Sequence, residues 1–93
     1  MLDYEFAGSF NKDLKLMKKR HMNIPEMREV MRFIINEEPL SERHHNHLLH
    51  GKKYEGKWEC HIDPDWLLVY QVDSAAKKVV FHRTGTHADL FKK

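Results

Sequence analysis

The chain lacks the features that would place it outside the cell or in a membrane. It has one cysteine, Cys60, and no apolar run long enough to cross a bilayer. A single cysteine excludes an internal disulfide and suits a reducing compartment. The N-terminus carries acidic residues and no basic segment before an apolar run, so no signal peptide is predicted. We therefore expect a cytoplasmic protein with no membrane partner.

Neither sign of charge dominates, and nothing divides the chain into parts. The formal net charge is +2, with only 4 glycines and 3 prolines in 93 residues, and we find no repeat or low-complexity linker. The fractions of hydrophobic residues (41%) and charged residues (32%) are those of a globular protein and exclude a disordered chain. This length is near the lower end for independent folding, so residues 1–93 are predicted to form one domain.

Two amphipathic helices are predicted in the first third of the chain. Ser9 is a candidate N-cap for the first helix, and Asn23 for the second. Pro25 lies in the first turn of the second helix, and Glu26 is in capping-box position. The apolar stripes are Phe10, Leu14 and Met17 in the first helix, and Met27, Val30, Met31 and Ile34 in the second. The short break between them predicts a helical hairpin.

The rest of the chain is predicted to form strands. Residues 3–7 fit a short edge strand, and residues 40–56 are expected to form a loop. Polar and apolar residues then alternate with period two in 57–63, and further strands are predicted over 67–72 and 77–84. The element order predicts an α+β fold, with two N-terminal helices packed on one face of a small antiparallel sheet. The last three strands are expected to form a meander.

Polar side chains are predicted to gather on the sheet face opposite the helices. Alternation in 57–63 directs His61 to that face, and a tight turn keeps Asp65 nearby. In a meander Arg83 can face the same side, and Gly85 lets the chain double back towards it. The candidates are His47, His50, His61, Asp65, Arg83 and His87.

This set of groups suits the cleavage of RNA through its own 2′-hydroxyl. That reaction needs a base for the hydroxyl proton, an acid for the departing 5′-oxygen, and a cation for the phosphorane charge. Histidine can supply both proton transfers near neutral pH, and arginine binds phosphate in bidentate fashion. The nucleophile belongs to the substrate, so no metal or other cofactor is expected.

Two other sequence patterns suggest binding of metal or of RNA. The segment HHNHLLH (44–50) holds four histidines in seven residues, but its spacing differs from that of structural zinc sites, which favours adventitious metal binding over a dedicated site. The first helix also carries a basic stripe, Lys12, Lys15 and Lys19, which is either a solvated face or an RNA-binding surface.

The segments HLLHGKKYEGKWECHIDPDWLLVY (47–70) and HRTGTHADLF (82–91) resemble the YafQ branch of the RelE/ParE toxin superfamily. The likeness extends to SFNKDLK near the N-terminus, so it covers essentially the whole chain. It implies the RelE-like microbial RNase fold. It also implies an mRNA interferase from a bacterial toxin–antitoxin pair, which enters the ribosomal A site and cuts the displayed codon. The implied partners are the ribosome, its mRNA and a DinJ-like antitoxin.

The resemblance also assigns roles to residues. It implies that His47, His61, Asp65 and His87 are catalytic, with Arg83, Phe91 and Trp66 in phosphate or RNA binding. His87 is expected to be the general acid, and Asp65 is expected to act with His47 and His61 on the 2′-hydroxyl side. Trp66 could equally pack in the core. Glu59 stands where a close relative has aspartate, and its role is left open.

Two alternatives come from other functional classes. One is a toxin that shares the fold without cleaving RNA, as ParE-type members inhibit gyrase; such members generally lack this histidine and Asp-Trp set. The other is a plain nucleic-acid-binding module that uses the basic stripe, for which His47, His61 and His87 would be dispensable.

Overall fold

The computed structural model describes residues 1–91, which form a five-stranded sheet with three helices. The helices are α1 (Gly8–Lys19), α2 (Ile24–Ile35) and α3 (His87–Phe91). The strands are β1 (Asp3–Phe6), β2 (His47–Leu48), β3 (Lys57–Asp63), β4 (Trp66–Asp73) and β5 (Lys78–Gly85). No helix within residues 1–91 has the length and apolar content that a bilayer crossing requires.

The sheet has the strand order β1-β5-β4-β3-β2, and its centre is the predicted meander. Strand β4 pairs antiparallel with both β3 and β5. The edge strand β1 instead runs parallel to β5, so the sheet is mixed and not wholly antiparallel as predicted. The chain from β1 crosses the sheet through α1 and α2 and reaches the far edge at β2. Because β1 and β5 are distant in sequence, no hairpin turn imposes an antiparallel pairing on them.

Helices α1 and α2 cover one face of the sheet and enclose the core. The buried members of the predicted stripes are Phe10, Met17, Met27, Val30, Met31 and Ile34. They share a core cluster with sheet residues that include Cys60, Ile62, Trp66, Leu68, Tyr70, Val79 and Phe81. The α+β architecture with two N-terminal helices on a sheet is confirmed. The opposite face of the meander is left for polar groups.

The ends of the helices explain how α1 is attached to the sheet. Asn23 caps α2 as predicted, since its Oδ1 accepts the Glu26 N–H at 3.1 Å. The prediction for Ser9 is wrong: α1 begins at Gly8, and Ser9 Oγ donates to the His82 carbonyl at 2.8 Å. Asp13 Oδ2 accepts the Thr84 N–H at 3.1 Å. Helix α1 therefore satisfies the edge of β5 beyond the end of β1.

Candidate active site

The strand register places the polar residues in two neighbouring rows on the open sheet face. One row is His47, Glu59, Val69 and Arg83, which are successive cross-strand partners. The adjacent row is His61, Leu67 and Gly85. The β4–β5 pairing has a bulge between the Val69–Arg83 and Tyr70–Phe81 pairs, where His82 is the extra residue on β5. Because of this shift, Arg83 lies in the first row.

Glu59 is the buried centre of this polar face. Its side chain is 6% exposed, and Oε1 lies 3.5 Å from His47 Nε2 and 3.6 Å from His61 Nε2. His47 Nδ1 donates to the His45 carbonyl at 2.6 Å, which directs Nε2 towards Glu59. A carboxylate between two imidazoles can hold both rings in place and stabilise a positive charge on either. The sequence left the role of Glu59 open. In the structure, Glu59 contacts both candidate bases, His47 and His61.

His61 lies at the junction between the two halves of the site. Its ring is 5.3 Å from that of His45, and 5.7 Å from that of His87 at an interplanar angle of 84°. Burial lowers the pKa of His61 below its ordinary value, with nearby histidines acting in the same direction and Glu59 opposing them. Its imidazole is therefore neutral at pH 7, as a proton acceptor requires.

His87 is held by Asp65 across the β3–β4 turn. Asp65 Oδ1 accepts both the His87 Nδ1–H at 2.6 Å and the His87 backbone N–H at 3.0 Å. These two hydrogen bonds hold the pKa of Asp65 below its usual range, so this carboxylate stays ionised. Asp65 was expected to act with His47 and His61, and its hydrogen bonds join it to His87. All four residues still belong to one chain of contacts.

The neighbouring histidines support this arrangement. His44 is buried, and its Nδ1 donates to the His61 carbonyl at 2.6 Å, where β3 bulges between His61 and Asp63. His45 supplies the carbonyl that orients His47. His50, a further candidate from the sequence, is exposed in the following loop. The histidine-rich segment thus also helps to hold His61 and His47 in place, which its composition alone did not reveal.

Arg83 faces the same side as Glu59 but is already paired. Its Nε donates to Asp13 Oδ2 at 2.6 Å, and a second guanidinium nitrogen donates to Asp13 Oδ1 at 3.2 Å. The side chain is 40% exposed, so its other donors can still reach a phosphate. Sequence reasoning missed Asp13. Its signal was a lone carboxylate within the otherwise basic segment 12–20.

Phe91 contributes to a pocket beside Arg83. Its ring meets the ring of Tyr54 edge-on, with centroids 5.7 Å apart. The pocket has a volume of about 240 Å³, and its lining includes Lys53, Tyr54, Val69, His82, Arg83 and Phe91. Flat aromatic walls with cations at the rim suit a nucleotide. Tyr54 was missed by sequence reasoning, although an aromatic residue in a lysine-rich loop is a pattern that RNA-binding proteins use.

Trp66 packs in the core, the second of the two possibilities that the sequence left open. The residue is 0% exposed, and its Nε1–H donates to Thr84 Oγ1 at 2.9 Å. Thr84 Oγ1 in turn donates to the Leu67 carbonyl at 2.8 Å. Trp66 begins β4 on the same face as Leu68 and Tyr70, so strand parity directs its ring into the core. A fully buried indole has no face available to a base.

The basic stripe lies outside the cluster of histidines. Lys12, Lys15 and Lys19 are exposed on α1, whose inner side carries Phe10 and Met17 into the core. Among residues 1–91, no group of three or more histidine, cysteine, aspartate or glutamate side chains is arranged to bind a metal. His47 and His61 both direct Nε2 at the same oxygen of Glu59.

The fold is that of a known class of bacterial protein, the toxins of type II toxin–antitoxin systems. The chain belongs to the YafQ family of such toxins, whose family model matches residues 2–92. It is 39% identical over 90 residues to the mRNA interferase toxin YafQ of Escherichia coli strain K12, a match that covers 96% of this chain and 95% of the relative.

Solved structures give the same result. The chain is similar to YafQ in the crystal structure of the E. coli DinJ–YafQ complex, with a TM-score of 0.89 and 38% identity over 98% of this chain and 99% of the other. It is also similar to a metal-bound toxin from Helicobacter pylori, with a TM-score of 0.91 and 34% identity over 98% of this chain and 100% of the other.

Proposed function

We propose that this toxin is an mRNA interferase, a ribosome-dependent endoribonuclease that cleaves translated mRNA by 2′-hydroxyl attack and so inhibits translation. The observation that carries the proposal is the contact between His61 and His87, two imidazoles with different partners on one open face. His61 lies beside Glu59, and His87 is bonded to Asp65. The reaction requires two separately positioned proton-transfer groups, one for the 2′-hydroxyl and one for the leaving oxygen.

His61 is the group best suited to take the 2′-hydroxyl proton. Burial keeps its imidazole neutral at pH 7, and Glu59 stabilises the imidazolium that forms on proton transfer. His47 approaches the same Glu59 oxygen from the other side and is exposed to substrate. In this assignment Glu59 orients the base, and His47 holds Glu59 from its other side.

His87 is the group best suited to protonate the departing 5′-oxygen. Asp65 accepts its Nδ1–H, so Nε2 is the atom that would deliver a proton to the leaving group. Asp65 also accepts the His87 backbone N–H at 3.0 Å, so two hydrogen bonds fix the direction in which Nε2 points. Arg83 supports the phosphorane charge through the donors that Asp13 does not use.

The remaining assigned residues bind RNA in this proposal. Phe91 and Tyr54 offer ring faces beside Arg83, and an unstacked base can pack there. Lys12, Lys15 and Lys19 contact phosphates of the ribosome from the outer side of α1. Ribosomes engaged in translation lie in the cytoplasm, so the reaction takes place there. The proposed mechanism uses no metal ion, because the substrate supplies the nucleophile and His87 supplies the acid.

The direct experiment maps cleavage in a purified translation system. We expect cuts within codons at the ribosomal A site, leaving a 2′,3′-cyclic phosphate and a 5′-hydroxyl. Chelation of metal at EDTA concentrations that spare the ribosome should leave cleavage by bound toxin unchanged. His87→Ala should reduce the rate by ~10²–10⁴-fold, the usual effect of losing a positioned acid. A 5′-phosphate product would contradict the proposal.

The same experiment separates the two alternatives. A gyrase inhibitor would leave the mRNA intact and change DNA supercoiling instead. A plain nucleic-acid-binding module would bind the ribosome without new mRNA ends, and His47, His61 and His87 would be dispensable. Each outcome is distinct, because only the proposed enzyme both cuts mRNA and depends on His87.

We further propose a DinJ-like antitoxin as the protein partner. The supporting observations are the family of the chain and the similarity to a YafQ that was crystallised with DinJ. An antitoxin that is acidic where it binds would cover the exposed lysines of α1 and the cleft. Attraction between opposite charges speeds association and makes it sensitive to salt. Co-expression should relieve toxicity, and an association rate unaffected by salt would argue against this surface.

A further inference from the structure

The short helix α3 depends on other parts of the molecule for its position. It has five residues, His87–Phe91, and begins with the residue that we assign as general acid. An isolated helix of this length does not form in water, because nucleation costs more than one or two hydrogen bonds return. The location of His87 is therefore set by the contacts that α3 makes with its surroundings.

Asp89 makes the polar contacts that connect α3 to the rest of the fold. Arg20 donates two hydrogen bonds to its carboxylate, from one nitrogen to Oδ2 at 2.6 Å and from another to Oδ1 at 3.1 Å. Asp89 Oδ2 also accepts the Thr86 N–H at 2.9 Å, while the Asp89 N–H donates to Thr86 Oγ1 at 3.1 Å. The carboxylate thus completes a capping box at the start of α3. It also forms an ion pair with Arg20 at the end of α1.

Both sides of this contact are rigid. Arg20 is the C-cap of α1, and α1 is bonded to β5 through Ser9 and Asp13. On the other side, a Cβ built on Gly85 would lie 3.0 Å from Asp89 Cβ, so the close approach of α3 to β5 requires glycine at this position. The end of α1, which is anchored to β5, therefore holds α3 where it follows β5, the strand that carries Arg83.

We propose that the Arg20–Asp89 ion pair is a positioning device that holds His87 on Asp65 and beside His61. The inference rests on the proposed function, in which His87 delivers a proton. Arg20 and Asp89 side chains are 39% and 21% exposed, and ion pairs of this kind contribute little to global stability. A displacement of about 1 Å at a reacting group, however, can cost ~10²-fold in rate. Loss of the pair should therefore affect chemistry far more than folding.

The test uses the whole toxin on ribosomes with a defined A-site codon. Asp89→Asn keeps the shape of the side chain and removes its charge, and Arg20→Gln replaces the guanidinium by a shorter neutral amide. With toxin saturating, we expect both variants to lower the single-turnover cleavage rate by ~10-fold or more, with ribosome affinity unchanged for Asp89→Asn. The NMR signal of the His87 Nδ1–H that donates to Asp65 should weaken through exchange with water in both variants.

A charge reversal provides the rescue. The double variant Arg20→Asp with Asp89→Arg restores an opposite-charge pair between α1 and α3, and we expect its cleavage rate to exceed that of either single reversal. The matched control is Glu29→Gln, which breaks the exposed Arg32–Glu29 pair on α2. This control should cleave like the wild type and leave the His87 signal intact.

The results that would overturn the inference are specific. A cleavage rate and a His87 signal for Asp89→Asn equal to those of Glu29→Gln would refute a positioning role. Weakened ribosome affinity for Arg20→Gln, with normal chemistry in Asp89→Asn, would show that Arg20 binds RNA directly. If Asp89→Asn lost its folded structure, the pair would be structural and the inference wrong. Failure of the proposed function looks different, because the wild type itself would then leave the mRNA intact, or His87→Ala would cut at the wild-type rate.

Discussion

At the scale of single residues, Glu59 determines the charge around the candidate base. It is buried between His47 and His61, and it raises the pKa of His61 against the lowering effect of burial. A folded-state pKa below the unfolded value of about 6.5 means that protonation of His61 opposes folding. The corresponding stability is present above that pH and is lost as the pH falls through the folded-state pKa. His61 thus remains a base at neutral pH.

The variant Glu59→Gln tests the opposing effects of Glu59 and of burial on the pKa of His61. Removing the carboxylate charge should lower the pKa of His61 further, because only the lowering influences of burial and neighbouring histidines remain. The acid limb of the pH–rate profile should move to lower pH, and the maximal rate should fall because the imidazolium loses its stabilising partner. An NMR titration of the His61 ring measures the first effect directly. A rise in the His61 pKa would contradict this account.

Two aromatic residues should separate stability from binding. Trp66→Phe removes a buried hydrogen bond to Thr84 and should cost about 1–2 kcal/mol in unfolding free energy, measured by urea denaturation, with normal cleavage by the folded fraction. Phe91→Ala should leave stability nearly unchanged and weaken substrate binding by about 1–3 kcal/mol through lost stacking. Weakened RNA binding in Trp66→Phe at full folding would reverse our assignment.

Residue-level reasoning from the sequence succeeded where strand parity decides the outcome. Alternation in β3 placed His61 opposite Cys60 and Ile62. Arg83 reaches the same face through the meander and the bulge at His82, which strand parity alone does not predict. The same reasoning failed where a contact joins distant turns. The pairing of Asp65 with His87 depends on how α3 folds back over the β3–β4 turn, which no periodic pattern encodes.

At the scale of elements, α1 has two different sides. Its inner edge carries Asp13, which binds Arg83, and its end carries Arg20, which binds Asp89. Its outer side carries the exposed lysines Lys12, Lys15 and Lys19. The helix that is proposed to contact the ribosome therefore also holds the arginine and the helix that complete the active site.

Replacing the three lysines by glutamine should separate binding from chemistry. We expect weaker ribosome binding, and a salt dependence whose log–log slope is reduced by roughly 0.7–0.9 per lysine that contacts a phosphate. The single-turnover rate at saturating toxin should stay at the wild-type level, since none of the three touches the histidine cluster. Lys77→Gln, in the β4–β5 turn, is the control. An unchanged salt slope would show that the stripe is only a solvated surface.

The elements were predictable to different degrees. Helices α1 and α2 follow from apolar residues at helical spacing, and β3 to β5 follow from alternation and turn residues. The direction of β1, the two-residue strand β2 and the helix α3 were not foreseen. All three are short, so their structure is decided by long-range pairing and packing and not by local propensity.

At the scale of the whole molecule, the sheet separates the core from the chemistry. The helix-covered face holds the apolar cluster, and Cys60 lies within it with 0% exposure. Burial raises the pKa of this thiol to about 12. The open face can therefore carry buried and partly buried polar groups without interrupting the core that stabilises the fold.

Cys60 should report on global opening. A buried thiol with a raised pKa reacts only when the core is exposed, so labelling by a thiol reagent under native conditions should be slow and should accelerate with urea as unfolding does. The free energy of opening from labelling should equal that from urea denaturation followed by circular dichroism. Rapid labelling of the fully folded toxin would show that the core around β3 opens locally.

The central claim, that His87 protonates the leaving 5′-oxygen, has one most direct test. An mRNA with sulfur in place of that bridging oxygen, set at the cut bond in the A site, releases a thiolate that needs no proton from an acid. His87→Ala should be slowed by ~10²–10⁴-fold on normal mRNA and should approach the wild-type rate on the sulfur substrate. An equal defect on both substrates would contradict the account, because His87 would then have some role other than proton donation.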